Sequence, residues 1–215
     1  MTANLALKEA AIDETVIVLD DDLLVRSAME SLFSSVGYQT RAYGSPLALL
    51  EAGLPDGVRC LVLDMRMPGI SGFDLQQRLL DRGEQVPIIF VTGHGDIPMG
   101  VRAMKSGAID FLVKPFRELD ILEAVSTALG RDRDRQARDR ESGDTQRRYA
   151  ALTPREREVM SHVVAGRLNK QIAGDLNLSE VTVKLHRGTM MRKMGVRTVP
   201  DLVRMAAALK ASGRP

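Results

Sequence analysis

Tryptophan is absent from this 215-residue chain, and the other aromatics amount to five Phe and three Tyr. Beyond residue 130 the only aromatic is Tyr149. That half therefore lacks the platforms on which single-stranded bases stack. Cysteine occurs once, as Cys60 in an apolar run, so an internal disulfide is excluded and a reduced, cytoplasmic setting is expected. No apolar run is long enough to span a bilayer, and no membrane partner is expected. The opening "MTANLALKEAAIDE" has neither the basic start nor the sustained apolar core of a signal peptide. The three histidines, His94, His162 and His186, are scattered, which argues against a zinc site of His/Cys type.

What is present is a charge asymmetry. The net charge of +2 conceals a first part, residues 1–130, with 11 Lys and Arg against 18 Asp and Glu. Residues 131–215 carry 19 against 10. A basic half of this kind fits a polyanionic partner, most economically nucleic acid. Two domains with different tasks are expected.

The acidic part alternates short apolar runs with helical patterns. Thr15–Leu19, Tyr38–Tyr43, Cys60–Leu63, Pro87–Thr92 and Ile109–Val113 read as strands, mostly of the continuous type buried on both faces in parallel sheets. Between them, Leu23, Leu24, Ser27, Ala28, Ser31, Leu32 and Ser35 share one helical face. So do Phe73, Leu75, Gln76, Leu79 and Leu80, and again Val101, Met104, Lys105 and Ala108. The pattern predicts an α/β doubly wound five-stranded parallel sheet.

Ligands of such sheets bind outside the carboxyl ends of the strands. There the chain places Asp20-Asp21-Asp22 after the first strand and Asp64 after the third. Thr92 closes the fourth, and Lys114-Pro115 follows the fifth. Several carboxylates at one edge repel and need a positive counter-charge. Mg²⁺ fits oxygen ligands of this number, and with a lysine, a hydroxyl and a spare carboxylate the set suits phosphoryl transfer. Taken alone, Asp20–Asp22 would read equally well as a helix-capping cluster.

"VLDDD", "VLDMRMPGISG" and "VTGHGDIPMGVRAMKSGAIDFLVKPF", in that order, resemble a CheY-like receiver domain, and most of all the receivers of FixJ- and StyR-type response regulators. The resemblance covers residues 14–125. It implies that Asp64 accepts a phosphoryl group from a sensor histidine kinase in a reaction the receiver itself assists with Mg²⁺. It implies Asp20, Asp21, Asp64 and the Arg66 carbonyl as metal ligands, and Thr92 and Lys114 as the phosphate-binding hydroxyl and lysine. Thr92 and Phe111 stand at the switch positions. Asp22 has a supporting role.

Residues 131–150 hold almost no apolar content and read as a solvated linker. Spaced Asp–Arg pairs support a helical first half, and Ser142-Gly143-Asp144 ends it. The expected domains are 1–125, a linker over 126–150, and 151–215. Thr153-Pro154-Arg155-Glu156 is a capping box with Pro at the first helical position. Its helix buries Val159, Met160, Val163 and Val164. Asn169 is expected to cap a second helix, Ser179 a third that runs to Gly195, and a fourth buries Leu202, Val203, Met205, Ala206 and Leu209.

Residues 152–198 resemble the LuxR/FixJ/NarL helix-turn-helix, so an all-α four-helix unit follows the sheet. On the third helix Val183, Met190 and Met194 face the core, and Val181, Lys184, Leu185, Gly188 and Arg192 lie opposite. That outer face suits a major groove, with Lys184, Leu185 and Gly188 at positions that approach bases in the family. Arg187, Thr182, Lys170 and Lys193 are expected near phosphates, and Arg155 and Arg157 in solvent.

The expected function is a phosphorylation-dependent, DNA-binding transcriptional regulator that is not an enzyme. It would dimerise on phosphorylation, bind double-stranded promoter DNA and leave RNA polymerase open as a further partner. Two other readings compete. Asp20-Asp21-Asp22 contains the Asp-x-Asp of a haloacid-dehalogenase-like phosphatase, and a receiver could instead drive an output that binds RNA or protein.

Overall fold

The computed structural model describes residues 14–211. Residues 1–13, most of the stretch read for a signal peptide, lie outside them. The chain divides into two compact units, Met1–Gln136 and Ala137–Pro215.

In the first unit β1 (Glu14–Leu19), β2 (Gln39–Tyr43), β3 (Val58–Asp64), β4 (Ile88–Thr92) and β5 (Asp110–Val113) form one parallel sheet of order β2-β1-β3-β4-β5. The helices are α1 (Leu23–Ser35), α2 (Pro46–Ala52), α3 (Gly72–Asp81), α4 (Ile97–Lys105) and the start of α5 (Glu118–Ala150). Side chains alternate along each strand, so the sheet feeds two cores. Val16, Val18, Cys60, Val62, Ile89 and Val91 pack with Met29 and Phe33 of α1 and Ile121, Val125 and Leu129 of α5. Ile17, Leu19, Leu61, Leu63 and Phe90 pack on the other face with Leu49, Leu75, Leu79 and Ala103. Burial raises the Cys60 thiol above its ordinary pKa, which keeps it an inert core residue.

Two helical faces differ from expectation. On α1 the sheet receives Val25, Met29, Leu32 and Phe33, while Leu23, Leu24, Ser27, Ala28, Ser31 and Ser35 are exposed. On α4 Ala103 is buried, and Ile97, Val101 and Met104 form an exposed apolar stripe. Leu80 of α3 is exposed as well. On α4 a second apolar stripe competes with the core stripe, on α1 small and polar residues blur the face, and periodicity alone cannot tell which side meets the sheet.

The charged segment after residue 130 is also unlike its reading. α5 continues without a break through Ser142-Gly143-Asp144 to Ala150. Asp132 is fully buried. Its carboxylate accepts the Arg59 backbone N–H (3.0 Å), the Gln136 amide (2.8 Å) and the Arg135 guanidinium (2.6 Å). Gln136 also donates to the Gly57 carbonyl at 2.5 Å. A buried acid holds this helix against the entry of β3, where a solvated face was expected. Further along, Thr145 is buried and Tyr149 packs on the core of the second unit. Such tertiary contacts override the weak helix propensity of Gly143.

The second unit adds α6 (Pro154–Val164), α7 (Asn169–Leu176), α8 (Glu180–Met194) and α9 (Val199–Ala211). Leu152, Val159, Met160, Val163, Ile172, Val183, Met190, Met194, Leu202 and Leu209 make its core. Val203 points outward instead. The capping box closes as expected: Thr153 Oγ1 accepts the Glu156 N–H, and Glu156 Oε2 accepts the Thr153 N–H. Ser179 caps α8 and Gly195 ends it in the left-handed region. Asn169 is not a cap. Leu168 holds that position, Gln171 Oε1 accepts its N–H, and Asn169 Oδ1 accepts from Arg187 at 2.8 Å. Arg155 is half-buried rather than free in solvent and donates to the Leu176 carbonyl, while Arg157 is exposed as expected and also donates to the Ala150 carbonyl. Among the described residues no helix is long and apolar enough to cross a membrane.

Glu156 is buried and also pairs with Lys193 at 2.7 Å. The bond from Lys193 holds its carboxyl below the ordinary value of 4.5. The pair therefore contributes stability fully above pH 4.5, which is lost as pH falls through the lowered value. Glu156→Gln keeps a capping oxygen but no charge. Circular dichroism melts across pH should find the second unit destabilised by about 1–2 kcal/mol at neutrality. The difference from wild type should close on acidification, and a constant offset down to acid pH would contradict it.

Candidate functional site

The sheet order reverses at β1, which pairs with β2 on one side and β3 on the other. A crevice opens at the carboxyl ends of strands at such a point. Asp20 follows β1 and Asp64 ends β3, so the two acids flank that crevice. Asp20 is 1% exposed and Asp64 7%. Carboxylate oxygens of Asp20, Asp21 and Asp64 lie within 4.8 Å of one another.

Lys114 crosses from the end of β5 and places Nζ 2.5 Å from Asp20 Oδ2 and 2.8 Å from Asp64 Oδ2. Its peptide bond to Pro115 is cis. Burial raises the Asp20 carboxyl above its ordinary value, and the Lys114 bond only partly offsets this. Burial alone would lower the Lys114 pKa, but its bonds to Asp20 and Asp64 outweigh it and the net shift is upward. The lysine is thus a fixed positive charge between two acids. Thr92 is fully buried at the end of β4, and its hydroxyl accepts the His94 N–H at 3.3 Å. The Arg66 N–H donates to Asp64 Oδ1 at 2.9 Å. Asp22 takes the capping role: it accepts the N–H groups of Leu24 and Val25 and starts α1.

Three supports escape a reading of the sequence. The Gly72 N–H donates to the Met65 carbonyl, and a Cβ there would press on the Asp64 carbonyl oxygen at 3.1 Å. Gly72 thus lets the loop after Asp64 fold back tightly, following the turn at Gly69 (φ +86°). Arg26 donates to the Asp20 carbonyl at 2.6 Å and lies over Gly44. Gly95 and Gly100 form a slot for Phe111. A Cβ on Gly95 would meet Val113 at 2.6 Å and the Phe111 ring at 3.1 Å, and one on Gly100 would meet that ring at 3.2 Å. The "GHGDIPMG" spacing was the available signal for this slot.

In the second unit α7 and α8 are joined at Asn177, whose φ of 53° gives the left-handed turn. α8 carries apolar residues on both sides. Val183, Met190 and Met194 are buried, while Val181 (77%) and Leu185 (67%) are exposed beside Lys184, Gly188 and Arg192. The structure thus brings the five outer-face residues together. Lys170 is exposed. Arg187 is tied to Asn169, and the Thr182 hydroxyl lies 2.8 Å from that of Ser179. Lys193 departs from its expected phosphate role: it neutralises buried Glu156.

A buried acidic crevice with a bridging lysine, followed by a helix-turn-helix with an exposed basic face, defines a receiver coupled to a DNA-reading output. Comparison with known proteins agrees. Residues 16–126 match the response regulator receiver domain, and residues 150–206 match the bacterial regulatory proteins of the luxR family. The chain is 47% identical over 204 residues to Nodulation protein W of Bradyrhizobium diazoefficiens, covering 95% of this chain and 90% of that one. It is 44% identical over 189 residues to the transcriptional regulatory protein FixJ of Azorhizobium caulinodans, covering 88% and 90%. The structure matches the response regulator StyR with a TM-score of 0.84 at 42% identity, over 91% of this chain and 98% of that one. The chain belongs to the response regulators with a LuxR-type DNA-binding domain: it is a two-component, DNA-binding transcriptional regulator. This is a family of transcription factors rather than enzymes, so the phosphatase reading is set aside. Receiver and output together imply a partner kinase and DNA.

A Cβ on Gly188 would meet no atom within 4 Å. Among the described residues no neighbouring atom therefore requires glycine there. Gly188→Ala should stabilise the second unit by roughly 0.5–1 kcal/mol in thermal denaturation. A loss of stability would reveal an internal constraint at this position.

Proposed function

We propose that Asp64 is the phosphoacceptor, and that its phosphorylation by a sensor histidine kinase controls DNA binding through α8. One observation carries this reading: two buried carboxylates and an exposed one within 4.8 Å, with Lys114 bonded between Asp20 and Asp64. All the donors are oxygens, few in number and partly open to solvent, which fits Mg²⁺. Asp20, Asp21, Asp64 and the Arg66 carbonyl would hold the ion, which when bound would supply charge neutralisation for an incoming phosphoryl group.

The chain's own residues do the rest. Asp64 is the nucleophile, and a carboxylate attacks phosphorus without a separate base. Lys114 exchanges part of its bonding to Asp64 for a phosphoryl oxygen. The Thr92 hydroxyl donates to another. Phe111 repacks in the slot of Gly95 and Gly100 as Thr92 moves toward the new oxygens.

The exposed stripe Ile97, Val101 and Met104 of α4, with Val113 of β5, supplies the surface on which a second phosphorylated copy docks. Two copies would read an inverted repeat in promoter DNA, and joining two weak modules raises affinity by effective concentration. On α8, Lys184 and Arg192 meet guanine or phosphate, Leu185 a thymine methyl, and Gly188 a close approach of the duplex. Arg187, Thr182 and Lys170 flank the backbone. RNA polymerase is the partner if the regulator activates.

Asp64→Asn should abolish Mg²⁺-dependent labelling by acetyl phosphate. Labelling at the wild-type level would refute the assignment. Lys184→Ala should weaken binding to a duplex selected by the wild-type chain by about 1–3 kcal/mol, while labelling is unchanged. An unaltered dissociation constant would remove Lys184 from the interface.

A further inference from the structure

The part of the last turn of α5 that carries Arg148 and Tyr149 lies outside both family matches, which end at residue 126 and resume at 150. It is nonetheless bound into the DNA-reading unit. Tyr149 packs on that unit's core, and the Arg157 guanidinium sits 5.3 Å above its ring. Arg148 reaches α8 itself, donating from Nη1 to the carbonyl of Met194 at 3.1 Å.

Met194 is the final residue of α8. The last carbonyls of a helix have no donor within it. Here the Gly195 N–H serves the Arg192 carbonyl and the Val196 N–H serves that of Met191, both at 3.0 Å. Arg148 supplies the Met194 carbonyl, and its positive charge lies at the negative end of the helix dipole. Gly195 is consistent with the same contact. Its φ of +69° already favours glycine, and a Cβ there would overlap the Arg148 guanidinium. Arg192, on the face assigned to DNA, stands in this same last turn.

We propose that Arg148 is a positioning residue for DNA reading: it closes the carboxyl end of α8 and holds the last turn, with Arg192, in the conformation that meets the duplex. A helix end that frays in the free protein reduces apparent affinity in proportion to the fraction ordered. The proposal rests on the assignment of the outer face of α8 to DNA.

The test uses the full chain as wild type, Arg148→Ala, Arg148→Lys, Arg147→Ala and Lys184→Ala. Arg147 is an adjacent cation paired with Asp144, so its removal controls for net charge. Fluorescence anisotropy with a duplex selected by the wild-type chain from a random pool gives dissociation constants over a salt series. Hydrogen exchange follows the amides of residues 190–196. Arg148→Ala should bind about threefold to tenfold more weakly. Its amides in that last turn should exchange faster, and its salt dependence should match wild type. Arg148→Lys should recover part of the loss, and Arg147→Ala should show a smaller effect. A salt slope reduced by about one would make Arg148 a direct phosphate contact and overturn the positioning role. Unchanged affinity in Arg148→Ala, with Lys184→Ala weakened, overturns this proposal alone. Unchanged affinity in both overturns the reading of α8 beneath it.

Discussion

Two buried carboxylates at the edge of one sheet cannot both stay ionised without a counter-charge, and Lys114 supplies it, bonded to Asp20 and Asp64 at once. The rest of the first unit can be understood as the scaffold for that bond. The strand order opens a crevice between β1 and β3, and β5 delivers the lysine across it. Arg26 fixes the turn that carries Asp20, and Gly72 allows the loop after Asp64 to return close to its backbone. Burial raises the Asp20 carboxyl above its ordinary value, and the Lys114 bond partly offsets this. On the proposed phosphorylation of Asp64, the new phosphoryl oxygens would compete with Asp20 and Asp64 for Lys114.

The same rule governs α5. Its charged sequence is held by polar groups that satisfy other elements: Asp132 meets the entry of β3, and Arg148 meets the end of α8. Charge here fixes helix position, in place of the apolar seam that the segment lacks. Glu156 and Lys193 repeat the pattern in the second unit, where a capping carboxylate is also an ion-pair partner.

The strands and the acidic edge were legible because continuous β-branched runs and strand-end acids are local signals. Thr153, Ser179 and Gly195 were legible as caps for the same reason. The faces of α1 and α4 were not, because serines and Ala28 blur the face of α1, α4 carries a second apolar stripe, and only the sheet decides which side is covered. The course of α5 was hidden because a run such as "RDRDRQARDR" looks the same whether its acids face water or a backbone N–H seventy residues away. Lys193 and Asn169 were misplaced on similar grounds: their partners, Glu156 and Arg187, are far in sequence. Gly95 and Gly100 gain meaning only when Phe111 is seen between them.

On the proposed function, chemistry at Asp64 sets the affinity of α8 for DNA. The most direct measurement is the dissociation constant of the intact chain for a selected duplex, before and after stoichiometric phosphorylation by acetyl phosphate with Mg²⁺. Binding should tighten by about tenfold or more after phosphorylation, within the usual range of such couplings. Equal affinity of the fully phosphorylated and unphosphorylated chains would contradict it.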